Sequence, residues 1–139
     1  MAAKANEWIY AIARRSGNNE YRPRLVLKPD GTVAVSVSVV NNGNETGLGQ
    51  VTVPGLTQSA GQYIDVHAQI SGSNPTTISI RAWADGQSEP STWQLTVTDS
   101  TASVQSGGAV GLLTYLSAGS TNAPVTFSFD DYSVTNINP

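Results

Sequence analysis

The sequence predicts an all-β fold, a two-sheet antiparallel sandwich, and three observations support this prediction. Roughly nine short segments alternate apolar and polar residues at a spacing of about 8 to 12 residues, which is typical of sandwich strands. Turn-forming residues separate these segments, among them 13 glycines and 7 prolines. No segment shows the periodicity of an amphipathic helix.

Length and composition limit the number of domains and exclude several classes of function. A chain of 139 residues without cysteine forms one domain that is held by packing and strand pairing, without disulfides or thiolate metal sites. We divide it into an N-terminal arm (1–7), a sandwich (8–135) and a tail (136–139). The net charge of −3, on 12% charged residues, gives no basic field, so we expect no nucleic-acid binding. No apolar run approaches the roughly 18 residues of a membrane span, so no membrane insertion is expected, and the N-terminus carries no secretory signal.

The first three strands follow from alternation and turn chemistry. Residues 8–14 and 20–28 predict strands, and Pro23 indicates an edge position or an outward-facing amide in the second, because proline donates no ladder hydrogen bond. The turn at residues 28–32 is a hairpin signal, since Pro29 presets φ and Gly31 accepts a positive φ. Alternating valines over residues 33–39 predict a strand whose valine face lies in the core.

The later strands are predicted in the same way. Residues 48–53 predict a weaker strand that residues 54–56 close. Alternation then predicts further strands, with turns between them, at residues 62–71, 77–84, 93–98 and 110–116. In the last segment, 124–134, Val125, Phe127 and Phe129 share one face, so we expect a closing strand with an aromatic core face.

An enzymatic function is not predicted. His67 is the only histidine, and although Asp65 lies two residues away on the same strand face, no nucleophile signature accompanies the pair. The remaining acids lie mostly in turns or at strand ends, where they are ordinarily turn and capping residues. No two of them are marked as the facing carboxylates of a glycosidase, and we assign no catalytic residue.

The polar faces of two strands predict a candidate carbohydrate-binding platform. An exposed aromatic side chain on a sheet face is the usual means by which sandwiches stack sugar rings. The candidate residues are Tyr63, Asp65, His67, Arg81 and Trp83. In the alternative, these aromatic residues pack under a loop or at a subunit contact. Trp8 and Trp93 are interpreted as core or interface anchors.

An ordered set of short stretches resembles the laminin-G-like, concanavalin-type jelly-roll modules of actinobacteria and their phages. In chain order these stretches are Asn19-Glu-Tyr-Arg22, Pro29-Asp-Gly-Thr-Val33, Val51-Thr-Val-Pro-Gly-Leu56, Gly72-Ser-Asn-Pro-Thr-Thr77, Arg81-Ala-Trp-Ala-Asp-Gly86, Glu89-Pro-Ser-Thr-Trp-Gln94, Thr98-Asp-Ser-Thr101, Gly108-Ala-Val-Gly111, Tyr115-Leu-Ser117, Thr121-Asn-Ala-Pro-Val125 and Phe129-Asp-Asp131. The resemblance runs from about residue 8 to residue 134. It implies a jelly-roll sandwich of the kind found in multidomain secreted proteins and in virion or tail proteins. Such sandwiches bind sugars, bind proteins or space other domains.

One departure from the family pattern predicts association. Modules of this family usually carry additional N-terminal strands before the equivalent of Trp8, where this sequence begins. Either those strands have been cut away, or a neighbouring subunit covers the layer that they would cover. An uncovered apolar sheet edge would be an association hazard. We therefore expect a homo-oligomer, or a contact with other virion proteins, through Trp8, Ile9, Tyr10 and Ile12.

The family also implies a candidate metal site. Related jelly rolls often hold a structural Ca²⁺ near the closing strand, for which Asp130 and Asp131 are the candidates. Adjacent acids on a strand point to opposite faces, so at most one could join carbonyl oxygens from elsewhere. The alternative is a solvated Asp130 and an Asp131 hydrogen-bonded to nearby amides, and no other cofactor is expected.

A second departure concerns context, since cellular members of the family are exported and this chain shows no signal. We therefore expect a virion protein: a non-enzymatic structural or adhesive component of a bacteriophage particle, such as a capsid decoration or minor tail protein. The alternative is a carbohydrate-binding module of a secreted, extracellular bacterial protein, whose partner would be a cell-surface glycan.

Overall fold

The computed structural model describes residues 5–117 and 126–137. Within these ranges the regular structure is β, apart from a 3₁₀ turn at Ala102–Val104. The strands are β1 (Glu7–Ser16), β2 (Asn19–Leu27), β3 (Thr32–Asn41), β4 (Asn44–Thr57), β5 (Ile64–Ser71), β6 (Thr76–Ala84), β7 (Leu95–Asp99) and β8 (Ala109–Leu116). The described part of the chain contains no helix that could serve as a membrane span.

The strands form two antiparallel sheets. One sheet has five strands in the order β4-β3-β2-β1-β8, and the other has three in the order β5-β6-β7. The predicted all-β class and the two-sheet antiparallel sandwich are therefore confirmed. The jelly-roll connectivity that the resemblance implies stays a prediction.

The core lies between the central strands of the two sheets. From the larger sheet, the alternating valines of β3 point inward and are at most 4% exposed; they are Val33, Val35, Val37 and Val39. From the smaller sheet, Ile78, Ile80 and Ala82 of β6 face them and are fully buried. Burying these side chains supplies most of the driving force for closing the sandwich, as the valine face predicted.

The β2–β3 connection has the geometry that its sequence predicts. Gly31 has a φ of 86°, its amide donates to the Lys28 carbonyl at 3.0 Å, and the Lys28 amide donates to the Thr32 carbonyl at 3.0 Å. The carboxylate of Asp30 accepts from the Thr32 amide at 2.9 Å and from its hydroxyl. These bonds fix the β2–β3 register, which pairs Leu27 with Val33.

A polar clamp ties the two sheets together at one end of the sandwich. The buried Tyr21 hydroxyl donates to the Asp99 carboxylate at 2.7 Å and accepts from the Gln105 amide at 3.0 Å. The Arg14 guanidinium donates to the Thr76 hydroxyl and to the Gly72 carbonyl, both at 2.7 Å. These contacts join β1 and β2 to the beginning of β6 and the end of β7.

Three sequence predictions about single strands need correction. β4 does not end before Pro54 but continues to Thr57, because β4 has a neighbour only on the β3 side among the described residues and a proline there interrupts no second ladder. Trp93 precedes β7 instead of belonging to it. Pro23 does not mark an edge, since β2 lies between β1 and β3; its missing amide hydrogen coincides with a gap in the β1–β2 pairing between Arg24 and Tyr21.

The predicted closing strand at 124–134 is wrong for the part that the structure describes. Residues 126–137 form no strand, and Phe129 is 48% exposed instead of lying in the core. The physical reason is that alternation makes a strand only where a neighbour supplies ladder hydrogen bonds, and this segment has none. Pro124 and Val125 lie outside the described residues.

Candidate functional site

Among the described strands β8, at one edge of the larger sheet, exposes the most large apolar side chains. Among the described residues β8 pairs only with β1. Apolar side chains on both of its faces are exposed to water: Val110 by 50%, Leu112 by 37%, Leu113 by 40% and Tyr115 by 52%. An edge strand of this kind offers unpaired backbone groups together with apolar side chains, which is the surface that strand pairing uses.

The predicted interface residues lie one strand further in than the sequence suggested. β1 is not an edge, because β8 pairs with it from Glu7 to Arg15. Tyr10 and Ile12 are each only 6% exposed and are already buried in the monomer. Ile9 points to the opposite face, where it packs against the core. The prediction of an uncovered edge at β1 is therefore wrong, and the edges of this sheet among the described strands are β8 and β4.

The outer face of the larger sheet is built around two stacked arginines. The Arg24 guanidinium lies 4.6 Å from the centroid of the Trp8 ring, and that of Arg22 lies 5.1 Å from the centroid of the Tyr10 ring. Both arginines form ion pairs with Glu45 of β4, at 2.9 Å for Arg22. Burial, and then the charge of Glu45, raises the pKa of Tyr10. This network holds the Trp8 and Tyr10 rings against the arginines, on the strand that pairs with β8.

Each of the other sheet edges carries a feature that discourages pairing. β4 contains Pro54, has irregular register with β3 at two places and carries the charged Glu45. β5 carries Asp65 and His67, and β7 has only five residues. Charges, prolines, bulges and short length are the usual protections of an edge strand. β8 has eight residues without charge or proline, so it is the unprotected edge among the described strands.

An open groove runs along the side of the sandwich that β5 and β8 border. The smaller sheet packs mainly against β2, β3 and β4, and so leaves the inner face of β1 and β8 with little cover. The groove has a volume of about 1780 Å³ and is lined by Ala11 and Leu112 on one side and by Ile64 and Ile70 on the other. Residues 126–137 also line it. The apolar inner face of β8 therefore remains open to water.

The structure brings four of the five predicted platform residues together on the smaller sheet. Asp65 stands opposite Trp83, and His67 stands opposite Arg81, in neighbouring rows of the β5–β6 ladder. Tyr63 lies just before β5 and is 46% exposed. These residues therefore share one polar face of the smaller sheet, and most of their polar groups bind one another.

Sequence reasoning missed two members of this surface, Glu89 and Trp93. The Glu89 carboxylate accepts from Nδ1 of His67 at 2.9 Å and from the Arg81 guanidinium. Trp93 stacks against Arg81, 4.3 Å from ring centroid to guanidinium carbon, and meets the His67 ring edge-on at 5.1 Å. Hydrogen bonds from His67 and Arg81 lower the pKa of Glu89. The only signal in the sequence for this contact is that Glu89 follows Arg81 by eight residues, in the loop after β6.

In the neighbouring row of this polar face, the pKa of the acidic residue shifts in the opposite direction to that of Glu89. Burial, followed by the charge of Asp85, raises the pKa of Asp65, and the charge of Asp131 adds to this effect. Asp131 lines the groove that β5 borders. The Asp131 amide donates to the Asp130 carboxylate at 2.9 Å. Among the described residues no cluster of three histidine or acidic residues gathers around a point that could hold a metal ion, so the calcium prediction gains no ligand set beyond Asp130 and Asp131.

Comparison with protein-family models, with curated proteins and with solved structures finds no match to this chain.

Proposed function

We propose that this chain is a non-enzymatic structural or adhesive component of a bacteriophage particle, acting through contacts with copies of itself or with neighbouring virion proteins. The observation that carries the proposal is the unprotected apolar edge at β8. The virion setting rests on the resemblance of the sequence stretches to phage jelly-roll modules.

Energetic reasoning supports association as the use of this edge. The exposed side chains of β8 include three large apolar residues and a tyrosine. Full burial of an exposed valine or leucine side chain contributes about 1.5–3 kcal/mol, and these side chains, already partly buried, gain a fraction of that each. A free edge of this composition in a soluble protein is an aggregation risk unless a partner covers it. A closed assembly that covers this edge removes the aggregation risk and gives a defined oligomer that a particle can incorporate.

The test is the solution mass of the purified chain, measured by light scattering across a concentration series. We expect a discrete closed assembly whose mass is a small multiple of 14.5 kDa and whose population rises with concentration. A stable monomer at all concentrations, with no assembly on addition of virion proteins, would contradict the proposal.

The carbohydrate-binding module is the second candidate. Tyr63, at 46% exposure, and the polar row that contains Trp83 favour it. Against it, the Arg81 and His67 groups that would bind sugar hydroxyls are already paired with Glu89, and the Trp93 face is covered by Arg81. A monomeric mass combined with glycan binding would make this the preferred function.

A further inference from the structure

We propose that β8 pairs with β8 of a second copy, antiparallel, around a two-fold axis at Leu113, so that the two larger sheets become one continuous sheet. This inference rests on the proposed function, because it names the partner and the geometry of the association. The partner at the β8 edge is a second copy of this chain, and the positions of the small and large side chains of β8 fix the register of the pairing.

The first step is the choice of edge. Among the described edge strands β8 alone combines a length of eight residues with the absence of charge and proline, whereas β4, β5 and β7 are protected. Pairing through β8 leaves the protected β4 strands as the outer edges of the joined sheet. The assembly would therefore close as a dimer instead of continuing into a fibre.

The second step is symmetry. Two identical antiparallel strands are related by a two-fold axis perpendicular to the sheet, so the outer face of one copy continues into the outer face of the other. Each residue must then stand opposite a residue of the same face. On β8 the outer face holds Gly111, Leu113 and Tyr115, which lie beside Ile12, Tyr10 and Trp8 of β1, respectively. The axis must therefore coincide with a single residue and not with the space between two.

The third step is the register. With the axis at Leu113, Tyr115 stands opposite Gly111 of the second copy and the two Leu113 side chains meet. A Cβ built on Gly111 meets no atom within 4 Å, so the space above this glycine is free for the 52% exposed Tyr115 ring. An aromatic ring that covers a glycine across a strand pair stabilises sheet edges. The outer face then has an unbroken row of Trp8, Tyr115 and, in the second copy, Gly111 and Ile12.

The inner face fits the same register. Leu112 stands opposite Thr114 of the second copy, and Val110 stands opposite Leu116. These pairs join the open inner faces of the two copies along the groove and cover the 37% exposed Leu112 and the 50% exposed Val110. Cross-strand apolar pairs of this kind contribute about 0.2–1 kcal/mol each beyond the strand pairing itself.

The described part of the C-terminal segment is the other occupant to consider. Residues 126–137 line the groove with residues of both β5 and β8, but they form no strand and make no ladder with β8. The described part of this segment therefore leaves the β8 edge free for a second copy.

Single-cysteine variants test this register directly, because the chain contains no cysteine. Directly opposite Cα atoms in an antiparallel pair are about 4.5–5.5 Å apart, within the range that a disulfide spans. Leu113→Cys is therefore expected to give a covalent dimer under mild oxidation. In Leu112→Cys the two cysteines are offset by two positions along the paired strands, so their Cα atoms are roughly 8 Å apart, beyond the reach of a disulfide. This variant is therefore expected to give little covalent dimer.

A control and a second measurement keep the test decisive. Val66→Cys lies on β5 at 41% exposure and reports random collisional crosslinking at an exposure like that of Leu113. Thermal melting of each variant checks that it folds. A Leu113→Cys chain that crosslinks no more than Val66→Cys, while the unmodified chain still assembles, would overturn the pairing and leave the proposed function standing. Crosslinking through Leu112→Cys instead would overturn the register. An unmodified chain that stays monomeric would overturn the pairing, and it would overturn the proposed function as well only if the chain also failed to assemble with virion proteins.

Discussion

Replacing Ile80 by alanine is expected to lower the free energy of unfolding by about 3–4 kcal/mol, because the change removes buried methyl groups and leaves a cavity. Ile80 lies in the middle of β6, is fully buried and packs against the valine face of β3. The surrounding strands are held by ladder hydrogen bonds on both sides of β6, so the site can collapse only partly. The measurement is urea unfolding at a fixed protein concentration.

Val66→Ala is the matched control for Ile80→Ala. Val66 lies on β5, next to β6, and is 41% exposed. Its truncation is expected to cost about 1 kcal/mol or less, since most surface substitutions stay near 0.5 kcal/mol. Equal losses for the two variants would mean that the interior of the sandwich is not packed around the β3–β6 contact.

Replacing Gly108 by alanine is expected to cost about 2–3 kcal/mol through overpacking against backbone that cannot move aside. A Cβ at Gly108 would lie 2.6 Å from the Arg15 carbonyl oxygen and 2.7 Å from the Arg14 carbonyl carbon. Relieving this contact would push β8 away from β1, or would shift Arg14, whose guanidinium clamps Thr76. Thermal melting measures the loss.

Gly107→Ala is the control for Gly108→Ala, one residue earlier in the same loop. A Cβ at Gly107 meets no atom within 4 Å, and its φ lies outside the positive range that disfavours side chains. This variant is expected to melt within a few degrees of the unmodified chain. If both variants were equally tolerated, the close approach of the loop to β1 would be wrong.

Alternation predicted the strands well wherever a strand has a paired neighbour and one buried face. The valine face of β3 and the isoleucines of β6 are the clearest cases, because period-2 burial leaves a direct trace in the sequence. The β2–β3 turn was equally predictable, since Gly31 meets a conformational requirement that few other residues satisfy.

Strand order, in contrast, could not be derived from local patterns. The segment 110–116 was recognised as a strand, but nothing in it shows that it returns to β1. For this reason the uncovered edge was placed at Trp8 and Ile12 instead of at β8. The same limit explains the error at Phe129, because an alternating segment becomes a strand only when the fold supplies a neighbour.

The polar face of the smaller sheet was predicted in part. Asp65, His67, Arg81 and Trp83 could be placed on one face from their spacing, because strand neighbours two apart share a face. The engagement of that face by Glu89 comes from a loop, whose path depends on the whole fold. The sequence therefore predicted which residues share this face, but not that Glu89 binds His67 and Arg81 there.

The measurement that most directly tests the central claim, that β8 is the surface through which the chain associates, is amide hydrogen exchange at low and high protein concentration. In an antiparallel edge strand, alternate residues direct their amides toward the neighbour or toward the free side. We expect the outward amides of Ala109–Leu116 to exchange rapidly in dilute protein and to gain protection as assembly proceeds, while the outward amides of β4 stay unprotected. Protection that appears elsewhere, with exchange in β8 independent of concentration, would contradict the account.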